Sequence, residues 1–412
     1  MQTLQSKLKD ELVENILPYW LTKMKDTENG GFYGRIDGYD RPHLKARKGI
    51  VLNARILWTF SAAYRYFNKK NYLDYANRAY DYICDNFIDK ENSGVYWEVN
   101  SRGFPIDRRK QTYAQGLAIY GFSEYYRATG KIDALENAKG LFRLVEKYAL
   151  DPVNGGYIEA FSNEWEPIED MRLSERDLNA PKSMNTHLHI LESYSNLLRV
   201  WRSPHLIKAQ TQLLNLFCER IMDKKSGHLN LFFNREWKPL SKTVSYGHDI
   251  EAAWLLFDAA IALNDSEIQK STIPVSLEII EAAYEGLQAD GSMAYERTSA
   301  KHIDKNRHWW VQAETVVGSI YAYILSGDEK YLKTACRCWK YIEEKIIDRK
   351  FGEWIWSVSE RGKQNRVEDK TGPWKCPCHN ARMCLEVLNI NTIKYLLESE
   401  SLWEKFFLAE LT

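Results

Sequence analysis

The stretch NGGFYGRID, residues 29–37, places a short alternating aromatic and apolar run directly after a polar glycine turn. Five later stretches repeat this pattern: NSGVYWEVN (92–100), NGGYIEAF (154–161), KSGHLNLFF (225–233), ADGSMAYER (289–297) and KFGEWIWSV (350–358). Their key glycines, at the third residue of each stretch, follow one another at steps of 61 to 71 residues: Gly31, Gly94, Gly156, Gly227, Gly291 and Gly352. Six units at a nearly constant step are typical of a repeat architecture.

The sequence between two such stretches has room for two helices. Apolar residues recur at three- and four-residue spacing in GIVLNARILWTFSAAYRYF, residues 49–67, and again in YLDYANRAYDYICDNFI, residues 72–88. The alternating run after each glycine predicts a short strand or hairpin.

Six helical hairpins can stack as an open solenoid or close into a ring. The compact length and the six copies favour closure. We therefore predict an all-α fold, an (α/α)6 barrel with short β-hairpins in the loops at one end. No linker-like segment divides the chain, so residues 1–412 are predicted to form a single domain.

The composition argues against several classes of protein. Lysine plus arginine equals aspartate plus glutamate, 56 each, so a basic surface for nucleic acid or anionic membrane is not expected. The amphipathic N-terminus has no apolar signal-peptide core, and no run of 18 apolar residues predicts a membrane span. Seven cysteines, an odd number, are expected to be free thiols, and we predict a cytoplasmic protein. Aromatic residues make up 13% of the chain, and flat aromatic faces suit the C–H faces of sugars.

A closed repeat should direct equivalent helix starts to one mouth of the barrel. Each unit offers a polar or aromatic group at a similar distance after its glycine: Arg55, Tyr113, His189, His248, Trp310 and His379. We therefore expect one central pocket. Taken alone, each histidine is more often a structural residue, and Asp177 would be read as solvated. A buried Arg55, by contrast, requires acceptor partners.

Local spacing adds candidates to this pocket. Asn185 with His189 and Trp310 with Glu314 are i,i+4 pairs, and each pair shares a helix face. Glu251 follows His248 by three residues, so its carboxylate is expected to orient that imidazole.

In two pairs of residues that are close in sequence, the two side chains should point in different directions. His187 and His189 should point to different faces, so at most one of them should line the pocket. Trp309 and Trp310 are adjacent, so only one of them is expected to face the pocket.

The cysteine-rich stretch GPWKCPCHNARMC, residues 372–384, raises a metal site as the alternative. Its Cys-x-Cys spacing differs from the Cys-x2-Cys of zinc knuckles. Cys336 and Cys338 lie in a helical run, where i,i+2 side chains diverge. Glycine-rich nucleotide fingerprints are absent from the sequence, so we expect neither a metal nor a cofactor.

Six segments together resemble the N-acylglucosamine 2-epimerase superfamily and, within it, the cellobiose 2-epimerases. They are LNARILWTFSAAY, TYAQGLAIYGFSEYY, KSMNTHLHILESY, SYGHDIEAAWLL, WWVQAE and GPWKCPCHNARMCLE, and the similarity covers nearly the whole chain. The resemblance implies an (α/α)6 barrel that epimerises C2 of a reducing-end sugar in disaccharides such as cellobiose, lactose or mannobiose. It implies His248 and His379 as catalytic residues. The sugar-binding residues that it implies are Arg55, Tyr113, Asp177, Asn185, His189, Glu251, Trp309 or Trp310, and Trp374.

The implied chemistry needs two proton-transfer groups. After ring opening, one base removes the C2 proton to give an enediolate, and an acid returns a proton to the opposite face. We assign His379 to the glucose-configured sugar and His248 to the other face, with Arg55 and His189 on the oxyanion.

The sequence departs from the family at two positions and leaves other functions open. Cys378 stands where we expect an aromatic residue and Ala381 where we expect glycine, which concerns the site of the second sugar. The alternatives are an epimerase or aldose–ketose isomerase of monosaccharides, and a non-catalytic glycan-binding barrel. We expect a monomer or weak homo-oligomer.

Overall fold

The computed structural model describes residues 1–299 and 302–390, and thirteen α-helices dominate this part of the chain. The helices are α1 (Gln2–Glu11), α2 (Leu17–Lys23), α3 (Ile50–Phe67), α4 (Lys70–Asn86), α5 (Thr112–Thr129), α6 (Ile132–Leu144), α7 (Met184–Leu198), α8 (Pro204–Leu216), α9 (Tyr246–Leu263), α10 (Ser266–Ala283), α11 (Trp309–Ser326), α12 (Glu329–Tyr341) and α13 (Cys378–Leu388). None of the described helices has the length and apolar character of a membrane-crossing segment.

The odd-numbered helices from α3 to α13 form a closed inner ring. Each packs against the next, and α13 returns to α3. Inner helix α3 is buried along most of its length, whereas α4 buries only the face that carries Tyr72, Ala76, Ala79, Tyr80 and Ile83. This difference follows from position, because an inner helix is covered on all sides and an outer helix on one. The predicted (α/α)6 barrel is confirmed.

The sixth helical pair joins the two ends of the described chain. Outer helices α4, α6, α8, α10 and α12 each follow their inner partner in sequence, but α13 packs against α1 from the N-terminus. Five of the six helical pairs are thus consecutive in sequence, and the sixth pair, α13 with α1, is not. The last part of the predicted single domain, residues 391–412, lies outside the described residues.

Short strands line the loops at one end of the barrel. They are β1 (Lys48–Gly49), β2 (Glu98–Val99), β3 (Pro105–Asp107), β4 (Lys110–Gln111), β5 (Ala160–Phe161), β6 (Lys182–Ser183), β7 (Phe232–Phe233), β8 (Val244–Ser245), β9 (Glu296–Ser299), β10 (His302–Asp304), β11 (Arg307–His308) and β12 (Ser357–Val358).

Most of these strands pair antiparallel between successive repeats. The pairs β1–β2, β4–β5, β6–β7, β8–β9 and β11–β12 each join the strand before one inner helix to the loop of the following repeat. Hairpins within one loop, β2–β3 and β9–β10, occur as well. Antiparallel bridges close a hairpin in the other four loops, at Ile36–Pro42, Phe161–Pro167, Phe233–Pro239 and Val358–Gln364. The expected short hairpins are therefore present, and the pairs between successive repeats also tie the helix starts together around the barrel mouth.

The repeated glycines are required by the backbone. All six have positive φ, a region that L-residues rarely adopt. At Gly156 a Cβ would also lie 2.6 Å from Nε2 of His187, the ring nitrogen that accepts a hydrogen bond from the Tyr157 amide at 2.8 Å. His187 is therefore a structural residue of the glycine turn, and its neighbour His189 is the one that faces the barrel interior.

Candidate active site

Two adjoining chambers open at the mouth of the barrel. The inner chamber has a volume of about 470 Å³, and the outer chamber has about 510 Å³. They share a common wall: Leu173, Arg176, Asp177, Asn185, His248, Tyr295, His308, Trp356 and Glu368. Both volumes are in the range of small-ligand sites.

The structure brings the predicted site residues together. Eleven of them line the inner chamber: Arg55, Tyr113, Asp177, Asn185, His189, His248, Glu251, Trp309, Trp310, Trp374 and His379. The twelfth, Glu314, lies behind His379. The inner helices carry most of this set near their N-terminal ends, which is why separate repeats converge on one chamber.

His379 is held by a carboxylate. Its Nδ1 lies 2.7 Å from Oε1 of Glu314, and Oε1 of Glu251 lies 3.7 Å from the same nitrogen. Burial lowers the pKa of His379 well below its ordinary value, and Arg55 and Arg382 add to this effect. The neutral ring therefore carries its proton on Nδ1 and leaves Nε2 free to accept one.

His248 has a hydroxyl partner instead. Its Nδ1 lies 2.8 Å from Oγ of Ser245, the residue before α9. Burial lowers the pKa of His248 to about 4. Glu251 accepts a hydrogen bond from Arg382 at 2.6 Å, and its charge raises the pKa of His248 against the larger effect of burial.

Arg55 supplies unused hydrogen-bond donors at the floor of the chamber. The side chain is 3% exposed, and it contacts Tyr113 Oη at 3.1 Å and Cys376 Sγ at 3.6 Å. Its Nε has no partner among the described residues. A buried guanidinium without a carboxylate contact is suited to an anionic or oxygen-rich ligand.

Both tryptophans of the 309–310 pair line the chamber, but they differ in exposure. Trp310 lies between the histidines, with ring centroids 4.7 Å from His248 and 5.7 Å from His379. Trp309 is 1% exposed and meets His379 edge-on at 5.4 Å, with the ammonium of Lys375 over its ring. Trp310 is therefore the more accessible stacking face, and Trp309 supports His379 from behind.

The polar wall contains the remaining predicted residues. Asp177 caps its own loop by accepting from the backbone and hydroxyl of Ser174 at 2.9 and 2.8 Å. Asn185 Oδ1 is buried without a hydrogen-bond partner among the residues that the structure describes, and His189 Nδ1 lies 2.8 Å from Glu192 Oε2. Trp374 tilts against the ring of Tyr113 at 6.1 Å.

Two buried charged residues of the site, Arg382 and Glu192, were not among the residues predicted from the sequence. Arg382 contacts Glu192, Glu251 and Glu314, and Glu192 in turn holds His189. The spacing signal was present, because Glu192 follows His189 by three residues and Arg382 follows His379 by three.

Aromatic loop residues of the outer wall were also missed. Tyr295 and His308 stack at a centroid distance of 4.0 Å, and Trp356 meets His308 edge-on at 6.4 Å. Tyr295 and Trp356 each lie four residues after a repeated glycine, Gly291 and Gly352, so the glycine-turn repeat carried a signal for them, whereas His308 lies in a short strand outside that pattern. Arg176 and Glu368 bridge two distant loops at 3.0 Å along the same wall.

The predicted departures from the family lie behind the chamber wall. Cys378 and Ala381 are at most 1% exposed and line neither chamber. Burial raises the pKa of the Cys378 thiol, although Arg382 and Arg55 oppose this effect. Any influence of these residues on the second sugar would therefore be indirect.

Two carboxylates and one imidazole cluster beneath the chamber in the described part of the chain. Ligand atoms of Glu251, Glu314 and His379 lie within 4.8 Å of one another. The guanidinium of Arg382 contacts both carboxylates, at 2.6 and 2.8 Å, and supplies positive charge to this group.

Two histidines and several tryptophan side chains line one chamber of an (α/α)6 barrel, and flat aromatic faces suit the C–H faces of sugars. Residues 31–376 match the N-acylglucosamine 2-epimerase (GlcNAc 2-epimerase) family, and the chain belongs to it.

Individual relatives agree with this assignment. The chain is 50% identical over 388 residues to a cellobiose 2-epimerase of Bacteroides fragilis, covering 94% of this chain and 99% of that one. It is 39% identical to a cellobiose 2-epimerase of Dictyoglomus turgidum, at 94% and 99% coverage. The solved cellobiose 2-epimerase from Bacillus thermoamylovorans B4167 superposes with a TM-score of 0.91 at 42% identity, covering 94% of this chain and 100% of that one.

Proposed function

We propose that the protein inverts C2 of the reducing-end glucose or mannose unit of a β-1,4-linked disaccharide such as cellobiose, lactose or mannobiose. The observation that carries this proposal is the joint presence of His248 and His379 on one chamber, each with a different Nδ1 partner. The adjoining outer chamber supports a disaccharide, because it offers space beyond the histidines for a second sugar. The names of the 50% and 39% identical relatives agree with this substrate class.

The first half of the reaction is a deprotonation by His379. Nε2 of the neutral ring takes the C2 proton of the open-chain sugar, and the electrons of the C–H bond move through C2–C1 onto the carbonyl oxygen. The resulting imidazolium keeps its Nδ1–H on Glu314, whose negative charge stabilises it. The enediolate oxygen receives hydrogen bonds from Arg55, with His189 nearby.

The second half returns a proton from His248 to the opposite face of C2. The donor is the protonated ring, which the negative enediolate in the same chamber favours although the pKa of the free residue is about 4. The hydroxyl of Ser245 can donate to Nδ1 or accept from it, so His248 is suited to act as acid in one direction and base in the other. His248 takes up the proton that it donates from solvent, and His379 releases its proton to solvent, so the cycle leaves both rings neutral.

Alanine substitution of each histidine tests this assignment in deuterated water. His248→Ala should still exchange the C2 proton of cellobiose but should not form the epimer, since His379 remains. His379→Ala should exchange C2 only in the mannose-configured sugar. NMR of the sugar measures exchange, and product chromatography separates the C2 epimer from a ketose.

His205→Ala is the matched control, because this histidine is 62% exposed in its side chain and lies outside both chambers. It should behave as the unmodified protein does. Full exchange and full turnover in both chamber variants would refute the two-histidine mechanism, and a ketose as main product would favour the isomerase alternative. Glucose, mannose, mannobiose and N-acetylglucosamine, tested beside cellobiose, decide between disaccharide and monosaccharide action.

The remaining expectations stay predictions. These are a cytoplasmic location, a monomeric or weakly associating chain, and the absence of nucleic-acid and membrane partners. The balanced charge of the sequence supports the last of them.

A further inference from the structure

Arg382 lies at the centre of a cluster of buried charged side chains beneath the inner chamber. It is 1% exposed, and its two terminal nitrogens contact three carboxylates from three different inner helices: Glu192 of α7, Glu251 of α9 and Glu314 of α11. Its guanidinium also lies 4.9 Å over the ring of Trp254. No other described side chain joins the carboxylate partners of both His189 and His379.

Arg382 and His379 both hydrogen-bond to the same carboxylate oxygen of Glu314. Oε2 of Glu314 accepts from Trp254 Nε1 at 2.8 Å. Oε1 accepts from both His379 Nδ1 at 2.7 Å and Arg382 Nη2 at 2.8 Å. A cation on the same oxygen withdraws negative charge from it, so that oxygen stabilises an imidazolium less well.

We propose that Arg382 is a positioning residue that sets the proton affinity of His379 by sharing Glu314 Oε1 with it. With Arg382 in place, the carboxylates orient His379 without forcing it into the protonated state. Without that cation, Glu251 and Glu314 would act on His379 with full negative charge. His379 would then rest as an imidazolium, which cannot remove a proton from the sugar.

The charged surroundings of His379 support this role. Arg382 faces it from its own helix α13, and the neighbouring charged or titratable groups from the other inner helices are Arg55, His189, Glu251 and Glu314. Glu192 joins this group through Arg382. Arg55 belongs to the substrate side of the chamber. Arg382 is therefore the cation that neutralises the carboxylates directly.

The first test replaces the guanidinium. Arg382→Met should raise the pKa of the His379 ring by about one unit or more, because an opposite charge near a carboxylate moves pKa values on that scale. Ring titration by ¹⁵N-histidine NMR, assigned with His379→Asn, measures this shift without requiring turnover. The acid limb of kcat/KM should move to higher pH by the same amount, so activity at a pH on that limb should fall about tenfold per unit.

A second variant removes the risk that three unpaired carboxylates prevent folding. Arg382→Met combined with Glu192→Gln leaves the net charge of the cluster unchanged and still frees Glu314 from the guanidinium. The same alkaline shift of the His379 pKa is expected in this double variant.

Arg65→Met is the matched control, since Arg65 pairs with the buried Glu124 at 2.6 Å and lies outside both chambers. It should lower stability without moving the His379 titration. An unchanged His379 pKa in the folded Arg382 variants would overturn the proposal and leave Arg382 a structural residue. The inference rests on His379 as a proton-transfer residue, but the titration reports on Arg382 even if His379→Ala proves active, so the two failures are distinguishable.

Discussion

At the scale of single residues, the two chamber histidines differ in what holds Nδ1. A carboxylate can only accept a proton from the ring, whereas a hydroxyl can donate or accept. Glu314 therefore fixes His379 in one tautomer, and Ser245 leaves His248 two. Both rings lie in the first turn of their helices, where the positive end of the helix dipole disfavours an imidazolium.

Substitution of these two partners should have unequal effects. Glu314→Gln should lower kcat about tenfold to a hundredfold, because a hydrogen bond to a charged group contributes about 1.5–3 kcal/mol. Ser245→Ala removes a neutral hydrogen bond and should lower kcat by about tenfold or less. Steady-state kinetics on one disaccharide measures both, and an equal or reversed ranking would contradict the proposed roles.

At the scale of elements, a buried ion pair lies next to the start of several inner helices. Lysine from the segment before the helix contacts an aspartate at the beginning of the preceding glycine turn: Lys48–Asp26, Lys110–Asp89, Lys182–Asp151 and Lys370–Asp348. In the fourth repeat Val244 stands at the lysine position, and His228 instead bridges Asp249 and Glu285. These pairs fix the glycine turns against the helix starts that carry the site.

Removal of one such lysine should destabilise the fold. Lys182→Met leaves Asp151 buried and without its cation, and breaking a buried pair on one side costs about 3–5 kcal/mol. Lys70→Met is the control, since Lys70 and Asp74 form an exposed pair that contributes little. Urea unfolding followed by circular dichroism compares the variants, and equal midpoints would show that the buried pair is dispensable.

At the scale of the whole molecule, the barrel is closed by the first and last described helices, α1 and α13. Helix α1 covers α13, and Glu11 accepts a hydrogen bond from Trp354 Nε1 in the sixth loop at 2.8 Å. The helix that carries His379 is thus completed by residues more than 300 positions earlier in the chain. We therefore expect the packing of α1 on α13 to affect the position of the chamber residues that α13 carries.

A substitution that leaves a cavity beneath α1 should weaken the packing of α1 against α13. Leu8 is fully buried in the core, and Leu8→Ala should lower the free energy of unfolding by about 2–5 kcal/mol. Lys9→Ala, on the exposed face of the same helix, should leave it nearly unchanged. Differential scanning calorimetry measures both, and a Leu8→Ala protein as stable as the Lys9→Ala protein would show that α1 is not part of the cooperative barrel.

The sequence by itself determined the repeat, the six-fold helical architecture and the level at which Arg55, Tyr113, His189, His248, Trp310 and His379 meet. Glycine turns and helical periodicity are local properties, so they are visible in a single chain. Only the tertiary structure decided the partners from separate helices: Glu314 on His379, and Arg382 among three glutamates. Side chains from separate helices choose partners by the distances and charges that packing creates, and the sequence separation of Arg382 from Glu192, Glu251 and Glu314 carries no trace of that choice.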